Sequence, residues 1–365
     1  MSGRVALCVA LVTALSLEVL AVGQGAIQES PRARYGSGPA PYEAIEVAFE
    51  NPADGVHLAG ILTVPHGAVQ AAAVVLSQGL GSEPYDRDYA VPTAPALKSF
   101  VAIADELSRH GIVVLRVDDR GAGGSSGRKE QSSVDQLAND IVVAVNFLKT
   151  RKEVNRNRIG IIGHSFAGLT VPIAAVRSSD VGFVITLAGL TTDARVNFER
   201  LPPGLRTVTT ATWNALAESS PTLGARELES RLRSVFMSAL ANLSAQERGP
   251  IQGSMAAIIR QMVTWAPLYR SQANTDPGKA LRALKKPYLA IHGARDRDLE
   301  LGKNLLPLVG FLNEAGNPDF TVAAVPDIDH WMWVCTEASE PGKPCIEMQY
   351  SPAVLDLMKI WINKH

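Results

Sequence analysis

Hydrophobic positions change period several times along the chain, and each change marks an element. Tyr42 to Phe49 alternates, with Ile45, Val47 and Phe49 on one side, and Val56 to Val64 alternates again. The turn residues Asn51-Pro52-Ala53-Asp54-Gly55 join the two into a predicted β-hairpin. Ala71 to Leu76 is apolar at every position. Ile112 to Val117, Ile159 to Ile162, Val181 to Leu187 and Tyr288 to Ile291 are similar short runs, and Phe320 to Val325 is read as a last strand. Such runs suit strands covered on both faces. Between them lie stretches with helical spacing. Phe100 to His110 (Val101, Ile103, Ala104, Leu107) stops at Gly111. Ser133 to Leu148 carries Val134, Leu137, Ile141, Val145 and Leu148 on one face. Leu169 to Val176, Gly302 to Asn313 and Pro352 to Asn363 follow the same rule. Buried strands alternating with amphipathic helices predict an α/β protein with a mostly parallel central sheet flanked by helices.

The alternation breaks after Leu190. From Thr191 to Pro277 no buried strand is predicted. Asn214 to Ala217, Ala225 to Leu243 and Met255 to Trp265 have helical character, punctuated by Pro202, Pro203, Pro221, Pro250 and Pro267. This predicts a helical cap, residues 191–277, inserted over the catalytic edge of the sheet. The core would then comprise residues 42–190 and 278–365.

Composition narrows the class. The 365 residues are 46% hydrophobic and 19% charged, an ordinary globular balance, and the net charge of −1 favours no nucleic-acid partner. Arg4, the apolar stretches Val5 to Leu15 and Leu17 to Val22, and the small residues Ala21 and Gly23 predict a signal peptide over residues 1–23. Glu18 interrupts the run, and its apolar length is short for a membrane span, which favours cleavage over a retained anchor. Residues 24–41, rich in Gly, Pro, Ser and Arg, read as a flexible lead-in. The expected product is an exported protein, periplasmic or secreted, with no stable membrane insertion after cleavage. Two cysteines then remain, Cys335 and Cys345. An even count in an exported chain suggests a disulfide, with two free thiols as the alternative.

The candidate chemistry sits where strands end. Arg158 to Val171 reads R-I-G-I-I-G-H-S-F-A-G-L-T-V: strand, sharp turn, helix, with Ser165 at the apex. Small residues two positions either side of the serine let the backbone turn sharply and lift the hydroxyl clear of the sheet. The plainer alternative is a tight turn with a local hydroxyl cap. Asp296 and His330 also lie just past predicted strands, at the edge where reactive groups converge in an open α/β sheet. A serine hydroxyl needs a base. Neutral His330 can take its proton, and Asp296 can hold the imidazole tautomer. His292 is an alternative base. Asp298, expected to be solvated, and Asp329, expected to point away from His330, are alternative acids. His164 is expected to pack or bond locally. An oxyanion hole needs two backbone N–H groups, and Phe166 and Leu80 are the candidates. Asp118-Asp119-Arg120 is expected to form an Asp–Arg pair bracing the loops, and Glu83 to Asp88 (with Asp86, Arg87 and Asp88) to have a similar role.

At these residues the chain resembles the α/β-hydrolase superfamily, and within it bacterial esterases of the serine aminopeptidase-like S33 group. The pieces that carry the resemblance are S-Q-G-L-G-S-E-P-Y-D-R-D at Ser77 to Asp88, L-R-V-D-D-R-G-A-G-G-S at Leu115 to Ser125, I-G-H-S-F-A-G at Ile162 to Gly168, H-G-A-R-D at His292 to Asp296, and D-H at Asp329 to His330. The order serine, acid, histidine is the one found on the α/β-hydrolase fold. The resemblance implies that fold and Ser165–Asp296–His330 catalysis with no cofactor. Three features depart from it. Ala167 replaces the second elbow glycine, the oxyanion loop begins Ser-Gln-Gly, and the insertion matches nothing recognisable. The implied function is hydrolysis of carboxylic esters through an acyl-enzyme, with an apolar acyl pocket supplied by the cap. The partner would be a small-molecule ester, or a short peptide or amide. A serine aminopeptidase or amidase is the alternative, for which Glu199, Glu218, Glu227 and Glu229 are candidate ammonium ligands. A non-catalytic exported binding protein is the third. A serine at the elbow excludes an aspartate-nucleophile dehalogenase. Oligomeric state is not indicated.

Overall fold

The computed structural model describes residues 39–80, 99–335 and 350–365. The predicted signal peptide, most of the lead-in, Glu83 to Asp88 and Cys345 lie outside the described residues. The chain divides into two compact units. Among the described residues, the larger takes in 39–80, 99–129, 134–192, 276–335 and 350–365, and the smaller 130–133 and 193–275.

The larger unit is built on one eight-stranded sheet. Its strands are β1 (Tyr42–Asn51), β2 (Val56–Pro65), β3 (Ala71–Ser77), β4 (Val113–Val117), β5 (Val154–His164), β6 (Phe183–Leu187), β7 (Tyr288–Gly293) and β8 (Phe320–Val325), in the order β1-β2-β4-β3-β5-β6-β7-β8. The opening hairpin pairs antiparallel, and β2 is antiparallel to β4 as well. Every pair from β4 to β8 is parallel. The continuous apolar runs therefore occupy the central strands, as two-sided burial requires. Helices α1 (Ser99–Arg109), α2 (Val134–Lys149) and α3 (Ala167–Arg177) connect the first parallel strands.

Two hydrophobic layers sandwich the sheet. On one face Ile103 and Leu107 of α1 pack with Val74, Ile162, Ile185 and Leu289. Met358 and Trp361 of the closing helix, Pro352–Lys364, belong to the same layer. On the other, Ile141, Val145 and Leu148 of α2 and Val171 of α3 pack with Val75, Leu115, Ile161 and Tyr288. Residue period thus selects the face: Val74 and Val75 are neighbours in β3 and serve opposite layers.

The smaller unit is helical. Its helices are α4 (Ala194–Phe198), α5 (Pro203–Ala217), α6 (Ala225–Ala241), α7 (Ala245–Thr264) and α8 (Ala266–Ala273). The expected punctuation by proline needs correction. Pro203 and Pro267 stand in first turns, where their missing N–H costs nothing. Pro250 lies inside α7, which a Ser244/Glu247 capping box starts six residues before it. The expected start at Met255 is therefore ten residues late. Back in the larger unit, α9 (Pro277–Ala283), α10 (Leu301–Glu314) and α11 (Pro352–Lys364) complete the fold. Among the described residues, no helix is long and apolar enough to cross a membrane.

Candidate active site

The turn after β5 holds its serine in a strained backbone. Ser165 has φ of 57°, a left-handed conformation that side chains rarely adopt. Three main-chain hydrogen bonds keep it there. Ser165 N–H donates to Leu187 O at 3.0 Å, and Ser165 O accepts from Gly168 N at 2.9 Å and Leu190 N at 2.8 Å. Two glycines let the neighbouring segments close on the turn. A methyl on Gly163 would lie 2.6 Å from Val171 Cγ2, and one on Gly168 would lie 2.4 Å from Leu190 N. Ala167, the departure from the elbow pattern, fits with its side chain fully buried.

The three separated side chains meet. His330 Nε2 lies 2.9 Å from Ser165 Oγ, and His330 Nδ1 lies 2.8 Å from Asp296 Oδ2. A carboxylate can only accept, so Nδ1 carries the proton and Nε2 is left to accept from the serine hydroxyl. Asp296 and His330 are buried, at 8% and 5% exposure, so little water competes for either bond. Burial alone would raise the Asp296 carboxyl, but His330 and His292 outweigh it and hold it below its ordinary value. Burial alone would lower His330. The Asp296 carboxylate, with Asp298 and Asp329 adding to it, lifts it instead to about 9.

Each partner is held by its own loop. Asp296 Oδ1 accepts from the N–H groups of Asp298 and Leu299, both at 2.7 Å. His292, the alternative base, belongs to this support. Its Nε2–H donates to Leu299 O at 2.7 Å and lies 3.2 Å from Asp296 Oδ2. Asp329 Oδ1 accepts from Trp331 N and Trp333 N, both at 2.9 Å. Asp298 corrects an expectation. It is half-buried rather than solvated, with a carboxylate oxygen within 4.8 Å of ligand atoms of Asp296 and His330. Gly293 lets the β7 end approach the histidine loop, since a methyl there would sit 2.4 Å from Ile328 O.

His164 also departs from expectation. Its bond is not local: Nε2–H donates 2.9 Å to the carbonyl of His330, 166 residues away. Its ring lies 4.8 Å from the His330 ring and 5.3 Å from Trp331. Burial, helped by the neighbouring His330, lowers its pKa to about 3, so it stays neutral. The bracing pair is likewise corrected. Arg120 bonds Asp140 and Asp54, not its neighbours in the motif. Asp119 takes Lys129 at 2.7 Å, and Gln78 also donates to it. Asp118 accepts from Gly124 N at 3.0 Å.

Phe166 immediately precedes α3, where first-turn N–H groups have no partner within the helix. The loop after β3 runs beside the serine. A methyl on Gly79 would lie 3.0 Å from Ser165 Cβ and 3.3 Å from Ser165 Oγ, which puts the backbone leading into Leu80 against the nucleophile. The four candidate ammonium ligands, Glu199, Glu218, Glu227 and Glu229, are all exposed in the helical unit, and Glu229 pairs with Arg233 at 3.1 Å. Cys335 is buried, and its partner in the expected disulfide, Cys345, lies outside the described residues.

A parallel sheet flanked by helices, with a strained serine after one strand and a histidine and an acid after two others, defines an α/β hydrolase. The chain belongs to the serine aminopeptidase S33 family, which matches residues 96–334. It is 35% identical over 128 residues to Esterase EstD of Thermotoga maritima; that match covers 35% of this chain and 29% of the esterase. Solved structures agree in fold. Est1E from Butyrivibrio proteoclasticus, with ferulic acid bound, superposes with a TM-score of 0.53 at 16% identity over 85% of this chain and 96% of that one. A hypothetical protein from Pseudomonas aeruginosa does so at 0.54 and 19% identity, over 96% and 100%.

Proposed function

We propose that this protein hydrolyses carboxylic esters through an acyl-enzyme on Ser165. The observation that carries the proposal is the unbroken chain Ser165–His330–Asp296, with hydrogen-bond lengths of 2.9 and 2.8 Å. In the first half-reaction His330 Nε2 takes the hydroxyl proton as Ser165 Oγ attacks the ester carbonyl carbon. Asp296 stabilises the imidazolium and keeps Nδ1 protonated. The tetrahedral oxyanion is held by the N–H groups of Phe166 and Leu80. Collapse expels the alcohol, which takes the proton from His330. Water then repeats the sequence on the acyl-enzyme, with His330 again as base, and releases the acid. No step calls for a cofactor.

Cleavage of short peptides or amides by the same groups is the second possibility, favoured by the family's description as serine aminopeptidases. The four candidate glutamates are all exposed, and Glu229 is paired with Arg233. Export after cleavage of residues 1–23, and a Cys335–Cys345 disulfide, belong to the same proposal. The deciding experiment compares p-nitrophenyl esters of rising chain length with aminoacyl p-nitroanilides on the mature protein and on Ser165→Ala. Ester turnover abolished in the variant is the expected result. Faster anilide cleavage would favour the peptidase, and full activity in the variant would end the proposal.

A further inference from the structure

Behind the candidate oxyanion loop lies a buried cation that nothing in the triad uses. Lys129 opens a single 3-10 turn, Lys129–Gln131, between β4 and α2, and its side chain is nearly inaccessible, at 3% exposure. It donates to the carbonyl of Gly79 at 2.6 Å and to Asp119 Oδ2 at 2.7 Å. Gln78, next to Gly79, donates its side-chain amide to the same carboxylate oxygen. A cavity lined in part by Gln78, Asp119, Lys129 and Phe166 joins this network to the elbow. Enclosing a lysine is costly unless its charge is answered, and the Asp119 carboxylate and the Gly79 carbonyl help to answer it here.

The bond to Gly79 has a directional consequence. The Gly79 carbonyl and the Leu80 N–H belong to one planar peptide unit, and no cis peptide occurs among the described residues. In a trans unit the C=O and N–H point in opposite directions. A cation that grips the carbonyl therefore turns the Leu80 N–H away from itself. Donation to the carbonyl also polarises the unit and makes its N–H a stronger donor. Gly79 itself is pressed against Ser165, so the peptide being held is beside the attacking oxygen.

We infer that Lys129 is a positioning residue for the oxyanion hole, acting through the Gly79–Leu80 peptide, with Asp119 and Gln78 holding the ammonium in place. The inference rests on Ser165 being the nucleophile. Lys129 touches no substrate atom. It fixes the orientation and donor strength of an N–H whose bond to the substrate oxygen strengthens as that oxygen becomes charged, so its contribution belongs to kcat rather than KM.

The test uses the mature enzyme with Lys129→Met/Asp119→Asn, which removes both charges together and leaves no lone buried ion, and with Lys129→Arg, which keeps a cationic donor. Three quantities are read: kcat and KM on a p-nitrophenyl ester, affinity for an alkylboronic acid that forms a tetrahedral adduct, and the infrared carbonyl band of the acyl-enzyme from a ¹³C-labelled pivalate ester. The double variant should lose about 10- to 100-fold in kcat, less than deletion of a donor outright, with KM changed by under about threefold. Boronate affinity should fall in parallel, and the acyl carbonyl band should move to higher wavenumber as polarisation is lost. Lys129→Arg should recover part of each. A folded variant with wild-type kcat, boronate affinity and carbonyl band would overturn the inference. So would a loss confined to melting temperature or to KM. If the double variant does not fold, Lys129→Gln takes its place, with the same three measurements and the same results for and against. Ser165→Ala run in parallel separates the cases: activity surviving there sinks the nucleophile assignment, not the role of Lys129 alone.

Discussion

Gly168→Ala tests whether the geometry of the elbow governs the reaction. A methyl carbon at residue 168 would sit 2.4 Å from Leu190 N, 2.6 Å from Gly189 Cα and 2.7 Å from Gly189 C. All three are main-chain atoms, so no side-chain rotation relieves the clash. Opening the shortest contact to an ordinary 3.4 Å requires 3.4 − 2.4 = 1.0 Å of backbone movement. The atoms that must move include the two that fix the nucleophile, since Gly168 N and Leu190 N both donate to Ser165 O. A displacement of about 1 Å at a reacting group costs on the order of 100-fold in rate, equivalent to about 2.7 kcal/mol of barrier. Overpacking should also lower stability by about 1–3 kcal/mol. Ala167→Gly is the contrasting variant. It creates the more usual elbow pattern, and its expected cost is about 1 kcal/mol of helix stability with kcat nearly unchanged. The assay is kcat on a short-chain p-nitrophenyl ester, normalised by burst titration of active sites, beside urea unfolding. Gly168→Ala with wild-type kcat and midpoint, or Ala167→Gly as the more damaging change, would refute the steric account of the elbow.

Other consequences can be checked with the same enzyme. The base must be neutral, and Asp296 raises His330 to about 9, so kcat/KM should climb through neutral pH and level only near that value. Asp296→Asn should shift this limb to lower pH while kcat drops by about 10⁴-fold, and an unshifted limb would contradict the assignment. The folded protein binds the His330 proton more tightly than the unfolded chain, whose imidazole has its ordinary value of 6.5. That stabilisation is complete below about pH 6.5 and disappears as pH rises through about 9. Urea midpoints should fall across this window in the wild type and stay flatter in His330→Gln; identical slopes would sink the linkage. His164→Ala removes the donor to the His330 carbonyl and should cost about 1–3 kcal/mol of stability, together with a fall in kcat, so unchanged kcat would show that the histidine loop needs no such anchor. Thiol titration of the denatured, unreduced mature protein should find no free cysteine, with two appearing after reduction. The ten-residue loop closed by Cys335 and Cys345 would contribute about 2.7 kcal/mol, and two thiols before reduction would exclude the bond.

Much of the framework was legible from local pattern. Continuous apolar runs identified the central strands because a strand buried on both faces has few positions for a polar side chain, Arg116 and Thr186 being buried exceptions. Helical periodicity found α1, α2, α10 and α11 because each has one face on the sheet. Ser165, Asp296 and His330 were legible because each follows a strand, and strand ends are visible in sequence. Lys129 was not legible. It stands in a polar connection between β4 and α2, and its partners Gly79 and Asp119 are 50 and 10 residues away. Nothing within a local window distinguishes it from a solvated lysine. The same holds for Arg120, whose acidic neighbour in sequence is not its partner in space, and for the carbonyl bonded by His164.

The sequence by itself determined the order of elements, the faces they bury and the residue types capable of acid–base and nucleophilic chemistry. These depend on periodicity and on each side chain's own chemistry, which local context carries. Only the tertiary structure decided distances: which histidine faces the serine, which acid faces that histidine, and which cation holds the loop beside them. Such pairings are fixed by parallel strand register and by main-chain contacts between segments far apart in the chain, 34 residues for His330 and Asp296 and 165 for His330 and Ser165. No local pattern records them, because the energy that selects them arises only when those segments are packed together.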